Sequence, residues 1–135
     1  MTKVFVDTNV VIDLLDQREP FVEAAAVLFA LAYQKKIKLY VSPLTYATAS
    51  FILRKRGSYQ INSLLSELRS LSEVTIVDEQ VVDNALTSTF ADHEDALQHY
   101  SALTKKVHVI ITRNTKDFRS STIPVLTPDE FLNQL

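Results

Sequence analysis

Short apolar runs alternate along this chain with longer stretches in which apolar positions recur every three or four residues. The short runs are Val4–Val6, Leu39–Val41, Thr75–Val77, Val109–Ile111 and Val125–Leu126. They are apolar on both faces, the pattern of strands covered on both sides in a parallel sheet. Between them the helical period predicts Phe21–Tyr33, Leu44–Leu53, Ile61–Leu71, Val81–Phe90, Asp92–Leu103 and Glu130–Leu135. Leu64, Leu65, Leu68 and Leu71 form one stripe of the third of these. Ser42-Pro43 sets an N-cap before a proline at the first helical position, and Thr127-Pro128-Asp129-Glu130 adds a capping-box glutamate. Asp78 reads as the cap of the helix after the third strand. The alternation predicts one α/β domain over residues 1–135 with a mostly parallel, roughly five-stranded sheet.

Composition narrows the chemistry. The 135 residues fit one domain, and 47% hydrophobic with 22% charged residues is an ordinary globular balance. The single glycine, Gly57, leaves neither a Rossmann fingerprint nor a P-loop writable, which argues against nucleotide cofactors. The absence of cysteine removes disulfides, thiolate zinc sites and cysteine nucleophiles, and agrees with a cytoplasmic location. No apolar run is long enough to span a membrane, and MTKVFVDTN enters a strand directly, so neither membrane insertion nor a signal peptide is expected. A net charge of -2 is unlike a general polyanion binder, so a nucleic-acid partner would need local positive charge. Three clusters offer it: Lys35, Lys36 and Lys38; Arg54, Lys55 and Arg56; and Arg113, Lys116 and Arg119. The first two read more simply as solvated faces or helix ends.

Polar residues gather where strands end. Asp7 follows the first strand, Ser42 the second and Thr112 the fourth. In an open parallel sheet the carboxyl ends of the strands form the ligand crevice, so Asp7-Thr8-Asn9 and Thr112-Arg113-Asn114 become neighbours if their strands are adjacent. In Asp92-His93-Glu94-Asp95, a spacing of three puts Asp92 and Asp95 on one helical face and turns Glu94 away. Carboxylates collected without lysines repel one another unless they are protonated or bind a cation. Oxygen ligands of this kind suit Mg²⁺ or Mn²⁺ and phosphodiester cleavage. The Thr8 and Thr112 hydroxyls could hold phosphate nearby. Each residue also has a plainer reading. Asp7 and Asp92 could be helix caps, Asp117 a turn residue, Thr8 a turn tie, and Glu94 a solvated side chain. His93, His99 and His108 lack ligand spacing and read as surface or partly packed.

Taken together, VFVDTNVVIDLL, DHEDALQHYSAL, VIITRNTKDF and STIPVLTPDEFL resemble, in order, the motifs of PIN domains, over essentially the whole chain. The resemblance implies a PIN-like Rossmannoid three-layer sandwich and a divalent-metal-dependent ribonuclease using Mg²⁺ or Mn²⁺. Many small bacterial members resemble VapC toxins, which a cognate antitoxin silences. Asp7 and Asp95 carry over as metal ligands. The family's fourth acidic position falls at Asn114 or is served by Asp117, with Asp92 a further candidate ligand. Thr112 carries over as a phosphate- or water-contacting hydroxyl, and Arg113 and Lys116 would position the RNA backbone. One departure stands out: counting from Ser42, Thr48 occupies the place of the family's usual glutamate.

Two other function classes remain in view. A catalytically impaired PIN domain would bind RNA or protein through the same crevice, and Thr48 is the feature that favours it. A phosphoacceptor receiver would need an acidic pair after the first strand and a lysine after the last, and both are missing. The helices Phe21–Tyr33 and Leu44–Leu53 are apolar around much of their circumference, which fits deep burial, a homodimer face or a groove for an antitoxin helix.

Overall fold

A computed structural model describes residues 1–57 and 59–135. Five strands, β1 (Thr2–Val6), β2 (Ile37–Val41), β3 (Ser72–Val74), β4 (Val109–Ile111) and β5 (Val125–Leu126), lie in the order β3-β2-β1-β4-β5. Every pairing between neighbours is parallel. The helices are α1 (Thr8–Leu15), α2 (Val22–Tyr33), α3 (Pro43–Lys55), α4 (Ile61–Leu71), α5 (Glu79–Leu86), α6 (His93–Leu103) and α7 (Pro128–Asn133). A 3-10 turn, Thr115–Phe118, links β4 towards β5.

The period-two alternation of the strands separates two cores. Val4, Val6, Leu39, Val41, Val109 and Ile111 face one side, where Val10 and Val11 of α1, Leu28 of α2, Leu68 of α4 and Phe131 of α7 cover them. Phe5, Tyr40 and Ile110 face the other, against Ala102 of α6 and Phe118 of the 3-10 turn. Because both faces are buried, Val4–Val6, Leu39–Val41 and Val109–Ile111 carry no charged side chain, and the polar positions Lys3 and Lys38 fall at the amino ends of their strands. The three-layer α/β sandwich expected from the sequence is the fold observed.

The elements depart from the sequence pattern in instructive places. The third strand is Ser72–Val74 rather than Thr75–Val77. Its position is set by the ladder with β2, which pairs Leu39 with Ser72 and Val41 with Val74. The apolar run beyond it leaves the sheet: Ile76 is 44% exposed, and the Thr75 hydroxyl shares a 2.6 Å hydrogen bond with that of Ser101. Helix α5 begins earlier than its apolar pattern because Asp78 accepts from the Val81 N–H at 3.0 Å, and it ends at Leu86 rather than Phe90. The capping box of Thr127 and Glu130 forms as expected. Ser42 occupies the N-cap position of α3, but its hydroxyl makes no capping bond. His99 is wholly buried rather than partly packed, lying between Phe90 and Tyr100 with its Nε2 accepting from Thr122 N–H. Burial pushes its pKa down to about 4, so the ring is neutral. Among the described residues, no helix is long and apolar enough to cross a membrane.

Phe5 is fully buried at the middle of the smaller core. Replacing Phe5 by Ala is expected to remove about 3–5 kcal/mol of stability, since the cavity can close only partly between sheet and helix. Urea unfolding should show a lower midpoint with an unchanged slope.

Candidate active site

At the carboxyl edge of the sheet, β1 delivers Asp7 into a position only 7% exposed. A buried carboxylate needs donors, and three surround it. Thr8 N–H and Gln98 Nε2 donate to Oδ1 at 2.8 and 3.1 Å, and the Thr112 hydroxyl donates to Oδ2 at 2.8 Å. Asp7 is therefore both the cap of α1 and the centre of a wider network, so its structural and functional readings coexist.

Gln98 holds the network together from α6. Its Nε2 also lies 3.1 Å from Thr8 Oγ1 and 3.2 Å from Thr45 Oγ1, and these two hydroxyls are 2.7 Å apart. The Ser42 hydroxyl donates to Gln98 Oε1, which explains why it is diverted from capping α3. Asn9 bridges to β4, donating to Thr112 Oγ1 and accepting from the Arg113 N–H, both at 3.3 Å. The Thr8 and Thr112 hydroxyls, expected to face phosphate, make internal hydrogen bonds, and Thr8 also lines the crevice above Asp7. Neither Gln98 nor Thr45 was singled out in the sequence. The available signal was slight: polar residues at buried helix positions, which alternating apolar patterns hide.

Above Asp7 opens a crevice of about 310 Å³, lined among others by Asn9, Thr48, Asp92, Glu94, Asp95 and Asn114. Asp92 caps α6, accepting from the Asp95 N–H at 3.0 Å, and also faces this crevice. Glu94 joins it too, contrary to the face-spacing expectation. The first turn of α6 points its end at the crevice, so successive side chains fan around that end instead of dividing by face. Asp117, exposed on the 3-10 turn, adds charge to both Asp7 and Asp95.

The electrostatics follow from this crowding. Partial burial first, then the charges of Asp7, Asp92, Asp117 and Glu94, push the Asp95 pKa up to about 7. Asp7 is raised as well, chiefly by burial, against the opposing pull of its hydrogen bonds from Gln98, Thr112 and Thr8. Arg18 also lines the crevice, 3.2 Å from Asp16. It sits in the loop after α1, where no sequence signal marks it. Arg113 lies elsewhere: it forms a two-pronged ion pair with Asp13 of α1 at 2.7 and 3.2 Å and stacks over the Phe21 ring at 4.0 Å. Asp13 is 1% exposed, so this pair binds the β4 end to α1. Lys116 is exposed beside Asp117 on the 3-10 turn.

Because Asp95 keeps its proton in the folded protein at pH values where an unfolded aspartate has lost it, the metal-free fold should lose stability as pH rises from about 4 to about 7 and then level off. Thermal unfolding in chelator across pH 4–8 should show this decline for the unaltered chain. Asp95→Asn should flatten it and melt higher than the parent above pH 7.

Residues 3–116 match the family described as PIN domain. Over 134 residues the chain is 29% identical to Ribonuclease VapC1 of Aquifex aeolicus (strain VF5), a match covering 96% of this chain and 92% of that protein. Its fold is similar to a chain of the toxin-antitoxin complex from Klebsiella pneumoniae, with TM-score 0.68, 24% identity and coverage of 93% and 97% of the two chains. It is similar also to a chain of FitAcB from Neisseria gonorrhoeae, with TM-score 0.65, 18% identity and the same coverages. The family match runs from β1 into the 3-10 turn and so takes in Asp7, the crowded start of α6 and the end of β4. The chain belongs to the PIN domain family.

Proposed function

We propose that this protein is a divalent-metal-dependent RNA endonuclease, the toxin of a toxin–antitoxin pair. The observation that carries this reading is the convergence of Asp7, Asp92, Glu94 and Asp95 on one crevice at the sheet's carboxyl edge, with Asp117 close enough to repel Asp7 and Asp95. Similarity to Ribonuclease VapC1 and to chains of toxin–antitoxin complexes supports it.

The donor set fits Mg²⁺ or Mn²⁺. Asp7 Oδ1 already accepts two hydrogen bonds, whereas Oδ2 accepts one and retains a lone pair. Among the described residues, no group of three or more His, Cys, Asp or Glu side chains is arranged to hold a metal by itself. Mg²⁺ typically keeps several waters and takes only one or two carboxylates, with substrate phosphate completing its shell. Asp7 and Asp95 would hold it, with Asp92 and Asp117 contributing charge. Bound there, such an ion supplies an activated water and stabilises the leaving oxygen of a phosphodiester. The residues of the chain do the rest. Gln98 and Thr112 keep Asp7 oriented, Asn114 at the crevice wall is placed to contact the substrate backbone, and Arg18 offers the crevice positive charge. Arg113 orders the β4 end through Asp13, and Lys116, exposed on the 3-10 turn, would contact the RNA backbone. The cytoplasm is the compartment this reading requires.

In either purified single variant, Asp7→Asn or Asp95→Asn, RNA cleavage is expected to fall by at least about 100-fold with the fold retained. Retained metal-dependent cleavage by both would remove the assignment.

A second reading, a PIN domain that binds RNA or protein without cutting, is favoured by one observation: Thr48, which the sequence resemblance puts at the family's glutamate position, lines the crevice. A missing carboxylate weakens affinity for a hard cation. Thr48→Glu is expected to tighten Mn²⁺ binding about 10-fold and raise cleavage. A variant that binds Mn²⁺ more tightly while both proteins remain inert would favour the binding module.

Val27, Tyr33 and Phe51 remain exposed on α2 and α3, which supports use of these helices by an antitoxin or a second copy of the chain.

A further inference from the structure

Beside the acidic crevice lies a second cavity of about 490 Å³, between the start of α2 and the start of α7. Its walls include Phe21, Ala24, Arg113 and Pro128, and Asn114 lines both this cavity and the acidic crevice. We infer that it is a nucleobase subsite: one base of the RNA strand turns into it and stacks on Phe21, while the adjoining phosphate lies in the crevice across Asn114. The inference rests on the ribonuclease reading and adds a determinant of where the strand is cut.

Four observations favour a base over other occupants. The volume is that of small-ligand sites, and the walls combine the apolar side chains of Pro20, Phe21, Ala24 and Pro128 with polar ones. Phe21 is 41% exposed, and Arg113 fixes its ring from one side at 4.0 Å. Arg113 is itself immobilised by the two-pronged pair with buried Asp13, so the platform exists before any ligand arrives. Finally, Glu23 and Asp129 stand at this cavity with no hydrogen bond or ion pair among the described residues. Two unpaired carboxylates repel a phosphate but accept hydrogen bonds from a base edge that carries an amino group. The subsite should therefore take adenine, cytosine or guanine in preference to uracil, reading a splayed single strand as stacking proteins do.

The test uses the full chain with Mn²⁺ and single-stranded RNA of randomised sequence, reading cut positions by sequencing the product ends. The unaltered protein should disfavour uracil about 10-fold at one fixed position near the cut, the scale of one hydrogen bond to a charged acceptor. Phe21→Ala should reduce that preference to less than about 2-fold while cleavage continues. Ala24→Trp, which fills the cavity without removing the ring, should do the same, and the melting temperature of each variant reports on its fold. An unaltered preference in either folded variant, or no positional preference in the parent, overturns the subsite. So does loss of a protein partner's binding with unchanged cut positions, which would assign the cavity to that partner. Failure of the parent to cut any RNA would instead overturn the ribonuclease reading, and the subsite with it.

Discussion

The carboxyl edge of this sheet is organised by the need to keep the buried Asp7 carboxylate hydrogen-bonded. A carboxylate 7% exposed is tolerable only if donors replace the water it has lost. Those donors come from α1, α6 and the end of β4, through Thr8, Gln98 and Thr112. Gln98 must in turn be oriented, and Ser42 after β2 with Thr45 on α3 does this. One charge thereby ties three strand ends to three helices. A network of this kind is stabilising only when complete, because each unsatisfied member costs about 1–3 kcal/mol. Its rigidity also leaves the remaining lone pair of Asp7 Oδ2 in a fixed place.

Around that fixed carboxylate the molecule accumulates negative charge instead of neutralising it. Of the nearby cations, Arg113 pairs with Asp13, and Arg18 at the crevice wall divides its charge with Asp16. The result is an Asp95 that holds a proton up to about pH 7. Carboxylates crowded in this way repel one another, so near neutral pH the crevice detracts from the stability of the fold. Thr48, also in the crevice wall, brings no charge to it. The Asp13–Arg113 pair has the opposite character. It is buried and matched, and removing one partner would strand a charge at a cost of about 3–5 kcal/mol.

Much of the architecture was legible from local pattern. The strands β1, β4 and β5 lie where short two-sided apolar runs stand, because a parallel strand between helix layers has no exposed face to mark with polar residues. Helix α4 coincides with its leucine stripe, and the Thr127 and Asp78 caps form where their spacing indicated. The third strand was misread because Thr75-Ile76-Val77 has the better strand composition. An edge strand obeys its single neighbour, and the ladder to β2 selects Ser72–Val74. His99 was misread because a histidine in a mixed helix carries no local sign of the aromatic residues, Phe90 and Tyr100, that enclose it.

The sequence by itself determined the α/β alternation, the Asp78 and Thr127 caps, the family, and the positions of Asp7 just after a strand and Asp95 in the first turn of a helix. These depend on residues close in the chain, whose periods and spacings are set by backbone geometry. Only the tertiary structure decided which polar groups meet. Gln98 reaches Asp7 from 91 positions away, and Arg113 finds Asp13 from 100. It also decided that Thr8 and Thr112 serve the carboxylate, that Glu94 joins the crevice, and that Phe21 and Asn114 border a second cavity. Such pairings are fixed by strand order and helix packing, and one polar side chain in a helix pattern looks much like another until burial removes its alternative partner, water.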